Sequence, residues 1–261
     1  MDILVLVKNV PEAAQADLEI TDDGSAVDTD DLVFAINEWD NYAVEEAVRL
    51  KEAHGGTVTL LTLGDYEAED VLRRGLAMGG NRAVHICDDD LEAGEPAAVV
   101  EAMAKVMAGE SFDLILAGVQ SSDMGHGQSA VLLAQRLGLP HATMAVGLAI
   151  DGDQVEVVRE LEANTSERVR LPLPAVITVQ SGINQPRYVS IMGIRKVRKI
   201  AVELHELEDL DLAATEAGAS LVSRCKLFMP QAGQGAEILT GSLEEVCDQA
   251  AAIIREKGGL A

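Results

Sequence analysis

Apolar residues in this chain fall into short continuous runs that alternate with longer stretches of helical period. ILVLVKNV (3–10) is a β-branched and leucine run, the pattern of a strand covered on both faces. Pro11 closes it, and residues 11–34 are acidic with a turn signal at Asp22-Asp23-Gly24. INEWDNYAVEEAVRLKEAHGG (36–56) sets Ala43, Ala47, Val48 and Leu50 along one side of a helix that His54-Gly55-Gly56 ends. TVTLLTLG (57–64) is a second strand, and Asp65-Tyr66-Glu67 opens a second helix through VLRRGLAMGG. AVHICDDD (83–90) with PAAVVEAMAKVMAGE (96–110), then FDLILAGVQ (112–120) with SAVLLAQRLGL (129–139), complete four strand–helix alternations. That order predicts an α/β fold with a doubly wound, mostly parallel sheet and helices on both faces.

The pattern changes after Pro140. MAVGLAIDGDQVEVVREL and TSERVRLPLPAVITV read as an added antiparallel portion around a turn at Asp151-Gly152-Asp153-Gln154. Residues 203–235 are acidic, then small and polar, as in an extended arm with little core of its own. GSLEEVCDQAAAIIREKGG (241–259) is a final helix, with Ser242 as N-cap and Glu245 completing a capping box. Two domains are expected: 1–202, an α/β domain, and 203–261, an arm and helix that pack on a partner subunit.

Composition narrows the classes. Of the 261 residues 48% are hydrophobic, enough for a sizeable core, while aromatics make up 3%, so packing is aliphatic. A formal charge of −24 argues against nucleic acid as a partner. Acidic runs such as Asp28 to Asp31, Asp88 to Asp90 and Glu206 to Asp211 read as solvated loops. Against them stands one basic cluster, Arg187, Arg195, Lys196, Arg198 and Lys199. No apolar run reaches the roughly 18 residues of a membrane span. The N-terminus reads as a first strand without a signal-peptide cleavage site, so a cytoplasmic location is expected. Cys87, Cys225 and Cys247 stand singly, without the spacing of a disulfide framework or a zinc site.

The candidate chemistry lies between the fourth strand and its helix, at Ala117-Gly118-Val119-Gln120-Ser121-Ser122-Asp123-Met124-Gly125-His126-Gly127-Gln128. Glycines allow close backbone approach, and the helix start offers free N–H groups to an anion. In an open α/β sheet, ligands bind outside the carboxyl ends of the strands. The loop carries neither a Walker GKS/GKT nor a GxGxxG fingerprint. A phosphate cradle and a simple strand-to-helix turn both fit it. Asp123 reads as a helix cap or as a ribose or metal contact, and His126 as a loop histidine or a catalyst. No nucleophile–base pair or metal-ligand spacing is visible, so no substrate chemistry of its own is expected.

Residues 157–190, VVRELEANTSERVRLPLPAVITVQSGINQPRYVS, resemble the signature of the electron transfer flavoprotein beta-subunit family. Arg159, Glu162, Glu167, Val169, Pro174, Val176, Ile177 and Thr178 fit that signature, whereas Ala163 and Asn164 depart from it. The resemblance runs through nearly the whole chain, including the helix of the LKE type at 36–56 and the last helix. It implies an adenine-nucleotide-hydrolase-like architecture. It also implies a structural AMP held near Leu6, at Asn37, Glu38, Trp39 and Asp40, near Leu63, and by Gln120, Ser121, Ser122, Asp123, Met124, Gly125, His126, Gly127 and Gln128. The usual Pro of the pre-helix motif is Glu38 here. Trp39 is implied to face the flavin, or else to be an interface or core aromatic. Arg159 is implied to lend positive charge to the reduced flavin, or else to form a surface ion pair.

The family reading makes the chain an electron carrier paired with an alpha subunit that holds most of the FAD. Electrons would come from acyl-CoA or related dehydrogenases in fatty acid oxidation and leave to a membrane quinone oxidoreductase. Residues 182–200 resemble the family's partner-recognition loop, implying docking by Arg187, Tyr188, Ile191, Met192, Arg195 and Lys196. A bifurcating form with a second FAD in place of AMP is the alternative, although the Thr-Ala-Gln-Val-Gly segment of such members is missing. From another class, a universal-stress-type nucleotide-binding protein shares the α/β alternation.

Overall fold

The computed structural model describes residues 1–13, 16–87, 96–163, 165–210, 225–231, 233 and 235–258. Asp88 to Asp90, Asn164 and the small polar stretch 211–224 lie outside them. Two compact units are distinguished, Met1–Glu19 with Asp28–Arg224, and Ile20–Val27 with Cys225–Ala261.

The first unit is built on strand β1 (Asp2–Leu6), whose alternation decides both layers. Ile3 and Val5 point to one face, where they meet Val44, Ala47 and Val48 of α1 (Glu38–His54) and Leu72 and Leu76 of α2 (Glu69–Met78). Leu4 and Leu6 point to the other, against Val100 and Met103 of α3 (Pro96–Val106) and Leu133 and Ala134 of α4 (Ser129–Leu137). Each helix therefore buries only one stripe, and the strands are apolar on both faces, as the hydropathy pattern predicts.

Beside β1 lie β4 (Thr57–Gly64) on one side and β6 (Leu114–Gly118) on the other, both parallel to it. Beyond β4 comes β5 (Arg82–Cys87), and beyond β6 comes β10 (Ala175–Val179). The nine-stranded order is β11-β5-β4-β1-β6-β10-β7-β8-β9, with β7 (His141–Asp151), β8 (Gln154–Glu160), β9 (Ser166–Pro172) and β11 (Val202–Glu206). Connections run outward from β1 through α1 and α2, then return to the opposite side at β6. The carboxyl ends of β1 and β6 thus diverge, leaving a crevice. The remaining strands, β2 (Asn9–Pro11) and β3 (Phe34–Ile36), form a small antiparallel ribbon that leads the chain into α1.

Four details depart from the sequence reading. The apolar run 3–10 is two strands, since the chain turns out of the sheet after Leu6. The antiparallel portion is β7-β8-β9 alone: β10 runs parallel to both β6 and β7 and is buried throughout. A fully covered strand loses the alternation that marks its neighbours, so its continuous run was no guide to direction. Residues 202–206, expected at the start of the arm, form the edge strand β11, parallel to β5. Finally, residues 191–197 are a short helix, α5 (Ile191–Val197), capped by the Ser190 hydroxyl, which accepts from the Gly193 N–H at 3.1 Å. Its far end is held by Arg73, which donates to the carbonyls of Val197 (3.1 Å) and Ile200 (2.6 Å).

The sheet's outer strand β9 is charged. Arg168 and Arg170 reach across to Glu156 on β8, at 2.7 and 3.1 Å. In the second unit, α6 (Leu243–Glu256) opens with the expected capping box between Ser242 and Glu245. Among the described residues no helix is long and apolar enough to cross a membrane.

Candidate functional site at the strand switch point

A solvent-open cleft lies at the carboxyl ends of β1, β4 and β6, where an open α/β sheet binds its ligands. Its walls are apolar: Leu6, Leu63, Val99, Met103 and Ala117. Its polar lining comes from Lys8, Asn37, Asp40, Thr178 and the loop that leads into α4. Of the residues proposed from sequence, Leu6, Asn37, Asp40, Leu63, Gln120, Ser121, Met124, His126, Gly127 and Gln128 line it. Glu38, Trp39, Ser122, Asp123, Gly125 and Arg159 do not.

The first turn of α1 fixes the shape of the cleft. Asp40, 6% exposed, accepts the Lys8 N–H at 2.8 Å with one oxygen and the Gly118 N–H at 2.9 Å with the other. Asn37, 1% exposed, donates to the Gln120 carbonyl at 2.8 Å and accepts the Ser122 N–H at 3.2 Å. One helical turn therefore ties down both the exit of β1 and the loop after β6. Burial dominates the acidity of Asp40 and raises its pKa to about 7, against the hydrogen bonds from Asn37, Lys8 and Gly118 and the charge of Lys8. These groups meet because Gly118 has no side chain: a Cβ there would lie 2.6 Å from the Trp39 Cβ and closer still to the Asp40 carboxylate.

At the mouth of the cleft the Lys8 ammonium sits 2.6 Å from a carboxylate oxygen of Asp123. Burial tends to raise the Asp123 pKa, but hydrogen bonds from Lys8 and Ser121, with the Lys8 charge and the Met124 N–H, outweigh it and hold the pKa below the usual carboxylate value. Asp123 therefore answers Lys8. Gly127, at φ 61°, takes a left-handed conformation that favours glycine and turns the loop into the start of α4.

Lys8 was not singled out from sequence, whereas Gly118 lay in the candidate loop and Thr178 in the family signature, neither of them as a residue proposed for the cleft. Lys8 is the first charge after an apolar run, and Thr178 is the polar residue within AVITV; both signals were present, but only the sheet order brings them together.

The remaining proposed residues lie away from the cleft. The Trp39 indole N–H donates to the side-chain oxygen of Gln180, just after β10, at 2.7 Å. Arg159 pairs with Glu167 at 2.7 Å and donates to the Thr143 carbonyl at 2.9 Å. Arg187 is bound to α1: its guanidinium bridges Glu45 and Glu52, each at 2.8 Å. Beside it Asn184 donates to the Tyr42 carbonyl (3.0 Å) and to Glu46 (2.9 Å). Tyr188, Ile191 and Met192 stand out from this anchored loop, 91%, 72% and 61% exposed. Arg195 and Lys196 are exposed on α5.

The Glu45 side chain is only 6% exposed, so truncating its partner strands a buried charge. Arg187→Ala is expected to lower stability by about 2 kcal/mol, less than for a fully buried pair because Arg187 itself is partly solvated. A denaturant midpoint indistinguishable from wild type would count against this clamp.

The model of the electron transfer flavoprotein domain matches residues 25–210 of the chain. The electron transfer flavoprotein subunit beta of Bacillus subtilis is 36% identical over 258 residues, covering 98% of each chain. That of Methylophilus methylotrophus is 36% identical over 265 residues, covering 99% of this chain and all of the relative (100%). The human subunit beta is 34% identical over 216 residues, covering 82% of this chain and 84% of its own length. With a family model matching well over half its length and relatives of this kind matching end to end, the chain belongs to the electron transfer flavoprotein family, as a beta subunit.

Proposed function

We propose that this chain is the electron-carrier beta subunit of a heterodimer, with FAD held mainly by the alpha subunit and AMP in the cleft between β1 and β6. The observation that carries the nucleotide assignment is the composition of that cleft. Leu6, Leu63, Val99 and Met103 offer an apolar slot for a base, while Lys8 and the α4 start offer positive charge and N–H groups to a phosphate. FAD supplies the redox chemistry when bound. This chain's part is to shape its surroundings, with Trp39 and Arg159 as the residues facing the flavin. The C-terminal arm and α6 pack on the alpha subunit.

In this reading the exposed Tyr188, Ile191 and Met192 form an apolar anchor for an acyl-CoA dehydrogenase or similar donor. Arg195 and Lys196 steer acidic partners toward it, and Arg187 pins the loop from behind. Electrons leave to a membrane quinone oxidoreductase, placing the protein in cytoplasmic fatty acid oxidation.

Co-expression with the alpha subunit provides the test. The purified heterodimer is expected to be yellow and to release one FAD and one AMP on denaturation. Two FAD and no AMP would replace this reading with the bifurcating form. A colourless homodimer that releases neither would overturn it in favour of a nucleotide-binding protein of the universal-stress type.

A further inference from the structure

We propose that Asp40 is a positioning residue whose ionised carboxylate holds the nucleotide cleft in shape, so that nucleotide binding is coupled to the release of one proton from this side chain. The inference rests on the reading of the cleft as an adenylate site.

The geometry gives the carboxylate two acceptor duties. One oxygen holds the N–H of Lys8 at the end of β1, and the other holds the N–H of Gly118 at the end of β6. These are the two strands whose divergence creates the crevice. In a protonated acid the hydroxyl oxygen is a much weaker acceptor than a carboxylate oxygen, so the bond to either Lys8 or Gly118 is weakened in a part-buried position. Asn37, which also hydrogen-bonds Asp40, is committed to the loop after β6, donating to Gln120 and accepting from Ser122.

The surroundings contain little else to hold or drive a proton. From the exit of β1 the facing charge is Lys8, and its ammonium is paired with Asp123 of the loop after β6. From the same loop His126 lines the cleft. Among the described residues, β4 and α3 present apolar side chains to the cleft, Leu63, Pro96, Val99 and Met103, and β10 presents Thr178. With burial as its main cause, the raised pKa of about 7 puts the proton equilibrium of Asp40 near neutrality.

Two opposite pH trends follow. The folded-state pKa lies above the ordinary carboxylate value of 3.8, so between that value and about 7 the folded chain keeps a proton that the unfolded chain has lost. The stability of the chain by itself therefore falls as pH rises through this window. Nucleotide affinity moves the other way, rising with pH until Asp40 is ionised and then levelling.

Calorimetric titration of the full chain with AMP, from about pH 5.5 to about pH 8 in buffers of different ionisation enthalpy, tests the coupling. Wild type is expected to lose affinity about tenfold per pH unit below neutrality, with a proton released on binding. Asp40→Asn is expected to bind more weakly and to keep only the shallower pH dependence of the AMP phosphate, whose second pKa is about 6, while His126→Gln keeps the wild-type slope. In wild type, the amide proton shifts of Lys8 and Gly118 should titrate together, a readout that needs neither ligand nor variant. AMP binding that is flat with pH, or a slope that survives in Asp40→Asn and vanishes in His126→Gln, overturns this inference and leaves the adenylate reading standing. No AMP binding at any pH, with the two amides still titrating, overturns both.

Discussion

Gly118→Val is expected to lower the stability of the fold by about 3 kcal/mol and, on the adenylate reading proposed above, to abolish retention of AMP. The position has no room for a side chain: the nearest neighbours of an added Cβ are the Asp40 carboxylate, the Trp39 Cβ at 2.6 Å and the Asp40 backbone nitrogen at 2.9 Å. None of these is the end of a flexible chain. Relief requires α1 to move off β6, which breaks the Gly118 N–H bond to Asp40 and shifts the Asn37 contacts to Gln120 and Ser122. Urea unfolding should show a lower midpoint with an unchanged slope, since the damage is to the native state. A variant that unfolds at the wild-type midpoint and still co-purifies with AMP would show that the junction of α1 and β6 is looser than its geometry implies.

Lys8→Met has the second-largest expected effect. It should cost about 2 kcal/mol of AMP affinity, roughly a thirtyfold rise in Kd, the usual scale for losing a charge-assisted hydrogen bond. Lys8 lines the cleft, and its ammonium is engaged by Asp123. A phosphate must compete with that carboxylate, so Asp123→Asn is expected to tighten binding. The difference between AMP and adenosine decides the matter: Lys8→Met should weaken AMP and leave adenosine unchanged. Equal losses for the two ligands would place the Lys8 ammonium away from the phosphate.

Much of this was legible in the chain, for identifiable reasons. Strands such as TVTLLTLG are covered on both faces and therefore apolar without interruption, and the helices between them carry one apolar stripe each. The capping box at Ser242 is a local motif and forms where the sequence places it. The direction of β10 was not legible, because an unbroken apolar segment reads alike in either orientation. Nor was β11: VELHE is a half-exposed edge strand, and its acids disguise the ladder it makes with β5. The site divides in the same way. Glycines and the helix start announce residues 120–128, whereas the Lys8–Asp123 pair joins positions 115 apart and exists only because β1 and β6 are neighbours. Asp40 was read as a ligand contact; it lines the cleft, and its two oxygens also accept from backbone N–H groups, which no sequence signal announces.

The ionic crossbars between β8 and β9 bear on how the heterodimer comes together. Any open border of a β-sheet is a template on which a second copy can extend the ladder. Here the border strand alternates Arg168 and Arg170 outward, each tethered to Glu156, and ends at Pro172. Newly made copies that collide side by side must strip water from those guanidinium groups before a single ladder bond can form, so they part again. Waiting for a cognate alpha chain is then a safe state.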